Sequence, residues 1–411
     1  MSRMKSLRNL YRIGHGPSSS HSIGPSRIAK FLKEKYEGIT SVDVTLYGSL
    51  AFTGKGHLTD VAIINEFAPI PTNVTFDYKT KVDFPNTLDV VLHFANKEDI
   101  KKRALSLGGG AISISGEEKE EEPDVYPEKN FEEIKAYCEH HHCDLADYVE
   151  HYEGKEIFDY LKIVWDQMIK TIDNGLHTNG VLPGKLNVQR RASSFLNPSH
   201  LKESSFSRSN RTLAAYAFAT NEENASGGIV VTAPTCGSSG TLPAVLLHMV
   251  DRYEIRDDKI VKALAVAGVI GNVVKQNGSI SGAEAGCQAE IGTACSMAAA
   301  ATSYLKGFSM DQIECAAEAA MEHSLGTTCD PVLGYVQIPC IERNAVAAVK
   351  ALSATYLAEY ASSTHRVTFD EIVQTMLETG KDLKKKYRET AKGGMALDYT
   401  RYQKKVAKKG Q

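Results

Sequence analysis

The sequence predicts an α+β N-terminal domain, residues 1–128, followed by a mostly α-helical domain, residues 129–411. Three observations carry that expectation. The chain has 411 residues, too long for one ordinary core and suited to two domains. Apolar residues alternate at strand spacing before residue 116 and recur at helical spacing from Asn130 on. Between the two patterns lies "GEEKEEEPDVYPEK", an acidic, proline-interrupted stretch with little to bury, read as a linker or an exposed strand-to-helix connection.

The elements follow in order. "PSRIAKFLKEKY" puts Ile28, Phe31, Leu32 and Tyr36 on one helical face. Pro25 suits a first helical turn, where its missing N–H costs nothing. "SVDVTLYG" alternates Val42, Val44 and Leu46, and "NVTFDY", "LDVVLHF" and "GAISISG" also read as strands, so a sheet of about four or more strands is expected. Asn130 with Glu133 forms a capping-box signature that opens the helical region. Stretches such as "KIVKALAVAGVIGNVV" and "GTACSMAAAATSYL" are rich in Ala, Gly and Ser, which lets helices approach closely.

Composition excludes some functions. Net charge is −3, so nothing electrostatic favours nucleic acid or an anionic membrane. The basic tail "KKVAKKGQ" reads as a solvated end. The N-terminus has no apolar signal core. The longest apolar stretch, "ALAVAGVIGNVV", is far short of the ~20 residues of a spanning helix. A cytoplasmic protein is expected, and its eight cysteines are then reduced thiols available to metal or chemistry.

Several motifs offer such chemistry. Cys287 in "GAEAGCQAEIG", Cys329 in "GTTCDPVLG" and Cys340 in "VQIPCIERN" lie in small-residue or proline-pinned surroundings. Such cysteines are either iron–sulfur ligands or small buried hydrophobes. "CEHHHCD" resembles a zinc site in letters, but it falls at an expected helix end, where histidines favour the dipole, and is read as surface. "TAPTCGSSGTLPAV" places Gly237, Ser238 and Ser239 before a helix, either an anion cradle for a carboxylate or a pyridoxal phosphate, or a capped turn. "GSLAFTGKGHLTD" carries Lys55 and His57 on a glycine-hinged loop, either a tuned acid or base or a polar hairpin. "GPSSSHSIGP" clusters Ser18, Ser19, Ser20 and His21, and "NEENASGG" groups Asn221 and Asn224 with two glutamates.

Taken together, these motifs, with "NGSISGAEAGCQAEIGTACSMAAA", "EHSLGTTCDPVLGYVQIPCIERNAVAAVKA" and "TGKDLKKKYRETAKGG", run from near residue 14 to residue 394. In that order the chain resembles bacterial iron–sulfur L-serine dehydratases (L-serine ammonia-lyases) of the single-chain form. The resemblance implies a 4Fe-4S cluster on Cys287, Cys329 and Cys340, with one iron left without a cysteine. It implies a first domain similar to a regulatory substrate-binding domain of phosphoglycerate dehydrogenases, beta-type, and an alpha-type helical domain with the cluster. It implies conversion of L-serine to pyruvate and ammonia through aminoacrylate, in a homodimer. Cys236, Cys295 and Cys315 match no ligand position. Some members carry a cysteine just after the "GG" of the tail; here no Cys follows Cys340, so a substrate, water or other group is expected at the fourth iron.

On that reading the proton-abstracting base is His21 or His57. Ser18, Ser19, Ser20 and the Gly237–Ser239 loop hold the substrate's polar groups, with Lys55, Asn221, Asn224 and Asn277 as further contacts, the stretch Lys275–Ser281 as lining, and the site between the domains. A sulfide-releasing cysteine lyase, a pyridoxal-phosphate dehydratase and a non-catalytic amino-acid sensor are the rival readings.

Overall fold

The computed structural model describes residues 3–117, 123–198 and 202–409. An N-terminal α/β region precedes a mostly helical one. The first is built on a five-stranded mixed sheet, in spatial order Thr72–Phe76, Ile39–Leu46, Thr87–Phe94, Ile100–Gly108, Ala111–Ile114. Only the first pair is parallel. Parallel neighbours need a crossover, and helices Gly48–Thr53 and Thr59–Phe67 supply it. The expected alternation holds: Val42, Val44 and Leu46 are buried, with Val44 opposite Val74 on one side and Val90 on the other. Ile28 and Leu32 of helix Gly24–Lys35, with Ile63 and Phe67, cover this face.

The strand Ile100–Gly108 was not anticipated. Its alternate positions Ile100, Lys102, Ala104 and Ser106 are mixed in polarity, so no apolar alternation appears. Charge explains its place instead. Arg103 grips Asp89 of the neighbouring strand with bonds of 2.8 and 2.9 Å, on the polar face of the sheet.

The helical region surrounds Thr293–Leu305, a helix buried continuously from Thr293 to Ser303. Helices Thr241–Tyr253, Asp257–Asn277, Met310–Glu322 and Cys340–Ala361 pack around it. Small residues permit this. At the crossing of Glu156–His177 with Ser205–Ala225, a Cβ on Gly175 would lie 2.2 Å from the Ala219 carbonyl oxygen. Asn130 caps helix Phe131–His141 through Glu133 N–H at 2.9 Å, while the Glu133 carboxylate accepts from Lys129 N–H, one residue earlier than a capping box requires. "CEHHHCD" ends that helix: His142 is left-handed, and Cys143 N–H and His142 N–H bond back to the Cys138 and Glu139 carbonyls. His140, His141 and His142 are exposed.

The chain begins inside the helical body. Met4, Leu7, Leu10 and Tyr11 belong to its core, and Tyr11 donates to the Leu264 carbonyl at 2.9 Å. Ile13–His15 pairs antiparallel with Ile229–Val231. The chain then crosses to the sheet and returns through Asp124–Tyr126, which pairs with Met4–Lys5. Part of the acidic stretch, residues 118–122, lies outside the described residues, as do Gly410 and Gln411 of the basic tail. Among the described residues no helix is long and apolar enough to cross a membrane.

Candidate active site

The crossing segment builds one wall of a cavity of about 220 Å³ between the two bodies. Ser18 opens a wide helical turn, Ser19–Ile23, that runs into helix Gly24–Lys35. Its Oγ accepts from His21 N–H at 3.2 Å, and Ser106 Oγ ties down the Ser20 carbonyl at 2.7 Å. Pro17, Ser18, Ser19 and Ser20 line the cavity. Asn224 does not line it; its Nδ2 holds the Pro17 carbonyl at 3.1 Å from behind.

The two histidines stack with ring centroids 4.5 Å apart. They differ in their partners. His21 Nε2 meets two hydroxyls at 3.0 Å, that of Ser49 and that of Thr53, and Thr53 Oγ1 also donates to the Ser49 carbonyl. Its Nδ1 faces Ser18 Oγ at 3.4 Å, so both ring nitrogens are occupied by hydroxyls, and the ring sits behind the cavity wall. His57 Nδ1–H donates to the Thr53 carbonyl at 2.9 Å, which leaves the Nε2 lone pair free. That atom is buried without a hydrogen-bond partner, and His57 lines the cavity. Burial lowers the pKa of His57 to about 4. Burial, then the His57 ring, holds His21 well below the usual imidazole range. Both rings are neutral at pH 7.

The opposite wall is cysteine-based. Cys287 precedes the turn Gln288–Gly292, Cys329 lies in an extended segment, and Cys340 begins helix Cys340–Ala361 after Pro339. All three line the same cavity. The Cys287 and Cys329 sulfurs and a Glu290 carboxylate oxygen lie within 4.8 Å of one another. A hydrogen bond from Cys329 and the Arg343 guanidinium draw the Cys287 thiol down toward the thiolate, against burial. Burial raises the Glu290 carboxyl, which accepts from Thr235 Oγ1 at 2.7 Å.

Sequence reasoning missed Glu389, which closes the third side. Its N–H donates to the Cys329 carbonyl at 2.7 Å, and Cys329 N–H donates to the Tyr387 carbonyl at 2.8 Å. This pairing holds Glu389 in a left-handed conformation, φ 53°, with a carboxylate oxygen within 4.8 Å of a ring nitrogen of His21 and of His57. Burial, then Glu290 and Cys287, pushes its carboxyl up to about 8. Its only sequence signal was membership of the "YRET" motif. Glu290 and Arg343 were likewise overlooked beside Cys287 and Cys340.

The other expected residues are dispersed. Gly237 lines the cavity, but Ser238 Oγ bonds within its own loop and Ser239 Oγ is buried outside the lining. Asn221 packs beneath that loop, bonded to the Ala217 carbonyl at 2.8 Å. Lys55 is exposed and paired with Asp60. Asn277 bonds the Lys129 carbonyl at 2.8 Å, away from the cavity. Lys275 and Gly278–Ser281 do line it. Cys236, Cys295 and Cys315 are buried, and the first two are fully enclosed.

Thiols, carboxyls and a neutral imidazole gathered in a concave site between two bodies define an enzyme. Family comparison says which kind. The family model for the serine dehydratase beta chain matches residues 6–69, and that for the alpha chain matches residues 87–396. L-serine dehydratase 1 of Escherichia coli K12 is 41% identical, over 96% of this chain and 99% of its own. The L-serine dehydratases of Haemophilus influenzae and Streptomyces coelicolor are 39% and 37% identical, over 96% of this chain and 99% and 98% of theirs. The chain belongs to the serine dehydratase family, with alpha and beta parts on one polypeptide, and is a lyase.

Proposed function

We propose that the chain eliminates water from L-serine, giving pyruvate and ammonia through aminoacrylate, with a 4Fe-4S cluster on Cys287, Cys329 and Cys340. One observation carries this reading: three cysteines line one cavity with His57, whose Nε2 is buried without a hydrogen-bond partner. The donor set fits the cluster. Among the described residues no fourth cysteine lines the cavity, and Arg343 stands behind the thiols as a counter-charge. When bound, the cluster supplies a Lewis acid that eases departure of the β-hydroxyl, a poor leaving group.

The chain's residues do the rest. His57 takes the α-proton at Nε2, its tautomer held by the Thr53 carbonyl and its low pKa keeping it unprotonated. His21, set behind the wall with both nitrogens held by hydroxyls, keeps the His57 ring in place by stacking. The N–H groups of Ser19 and Ser20, the first of the turn, suit the substrate carboxylate, while that of Ser18 is donated to Ser22 Oγ at 3.0 Å. Aminoacrylate then tautomerises and hydrolyses. We take the division between the two parts at residues 128/129.

The test is anaerobic reconstitution with iron and sulfide, followed by pyruvate formation from L-serine. The expected result is turnover in the wild type, a loss of about 10²–10⁴-fold in kcat for His57→Asn with unchanged iron content, and a much smaller loss for His21→Asn. Near-normal turnover in His57→Asn would sink the assignment of the base.

A further inference from the structure

The cavity is lined by three carboxyl groups, those of Glu284, Glu290 and Glu389. Two are engaged. Glu284 accepts from Ser279 Oγ at 2.7 Å, and Glu290 accepts from Thr235 Oγ1 at 2.7 Å. The Glu389 carboxyl has no hydrogen-bond donor among the described residues, although it lies near two imidazole rings. Neither ring serves it: His21 Nε2 is taken up by the Thr53 and Ser49 hydroxyls, each at 3.0 Å, and His57 Nδ1–H by the Thr53 carbonyl. The backbone spends strain to hold the group there, in a left-handed conformation fastened on both sides to Cys329.

An unpaired carboxyl in a cavity that also gathers three thiols offers its oxygens to a cationic donor, whose charge favours the ionised form that burial disfavours. L-serine brings one such group, the α-ammonium, on the same carbon that bears the proton to be removed. A charge-assisted N–H···O bond spans about 2.8 Å, and the N–Cα bond adds about 1.5 Å. An ammonium held by Glu389 therefore brings Cα–H toward the His57 ring, since a Glu389 oxygen and a His57 ring nitrogen are within 4.8 Å. We propose that Glu389 binds the substrate's α-ammonium group, and so selects 2-amino-3-hydroxy acids over 3-hydroxy acids that lack the amine. This rests on the lyase reading above.

The cluster-loaded enzyme tests it under anaerobic conditions. KM for L-serine and the inhibition constant of 3-hydroxypropanoate, which is serine without its amine, are measured for wild type, Glu389→Gln and Glu389→Asp. Iron content is the check on the site, because the bond to Cys329 comes from the Glu389 backbone and survives both changes. The expected result for Glu389→Gln is an L-serine KM raised about 10- to 100-fold, as for loss of a hydrogen bond to a charged group. The same variant binds 3-hydroxypropanoate no more weakly than wild type does. Glu389→Asp falls between the two in KM. An unchanged KM in Glu389→Gln overturns the assignment, as does a parallel weakening of substrate and inhibitor. A wild type with a full cluster that leaves L-serine intact overturns the lyase reading itself, a different outcome from an active wild type whose variant binds serine normally.

Discussion

The pH dependence of kcat tests the assignment of His57 most directly. The perturbation is a change from pH 7.5 to 5.5 at saturating L-serine. Burial lowers the pKa of His57 to about 4, so the ring stays neutral, and able to accept a proton, well below the ordinary imidazole range. With a pKa near 4, about 97% of the rings are unprotonated at pH 5.5 and nearly all at pH 7.5. With an unperturbed pKa near 6.5 the corresponding fractions are about 9% and about 91%. Burial therefore predicts a kcat that changes by less than about a tenth over this range, against about a tenfold fall for an exposed histidine. The assay is anaerobic initial-rate pyruvate formation, with iron content measured after each incubation so that cluster loss is not mistaken for protonation. An acid limb near pH 6.5, at constant iron, refutes the reasoning.

The same shift has a stability consequence. A buried neutral histidine disfavours the native state once the unfolded chain takes up a proton, so stability is lost as pH falls from about 6.5 toward 4. His57 contributes about 2 kcal/mol of loss between pH 7 and pH 5, and urea titrations of the metal-free chain should show His57→Asn losing less than wild type over that step. Cys287→Ser, Cys329→Ser and Cys340→Ser should each lose iron and brown absorbance after reconstitution, whereas Cys236→Ala, Cys295→Ala and Cys315→Ala, none of which lines the cavity, keep both. Gly394→Ala should destabilise the tail by about 1–3 kcal/mol, because Gly394 has φ 52° and a Cβ there would lie 1.9 Å from Asp330 Oδ2; limited proteolysis of the C-terminal helix reads this out.

What could be read from sequence divides along physical lines. Local periodicity was enough for helix Gly24–Lys35 and for the strands holding Val42 and Val90, because their buried faces are apolar. It was silent on Ile100–Gly108, whose pairing rests on an Arg103–Asp89 bridge and not on an apolar face. The spacing of Met4, Leu7, Leu10 and Tyr11 is amphipathic, yet nothing local says that this face packs into the helical body instead of the sheet. At the site, the three cysteines stood out through their proline and glycine surroundings. The difference between His21 and His57 did not, because it depends on which groups surround each ring: hydroxyls at both nitrogens of His21, a carbonyl at one nitrogen of His57 and no hydrogen-bond partner at the other. Lys55 and Asn277 looked equally chemical in sequence, but one is spent on Asp60 and the other on the Lys129 carbonyl.

Glu389 was hidden for a different reason, and that reason bears on how the site is kept intact. Its place is set by pairing between the tail and Cys329, a contact no window of sequence contains. Asp330, the next residue after Cys329, accepts from Met395 N–H at 2.8 Å at the start of the last helix, Gly394–Lys409, and from Arg343 at 3.4 Å. Arg343 in turn faces Cys287 and Cys340. The tail, the thiol wall and its counter-charge are thus joined through two consecutive residues, Cys329 and Asp330. A change that lifts the last helix off Asp330 should therefore disturb two things at once: the carboxyl poised beside His57, and the arginine that offsets charge at the thiols. Loss of L-serine affinity and loss of iron ought then to appear together in tail variants such as Gly394→Ala. In Glu389→Gln, where the backbone pairing survives, they should separate.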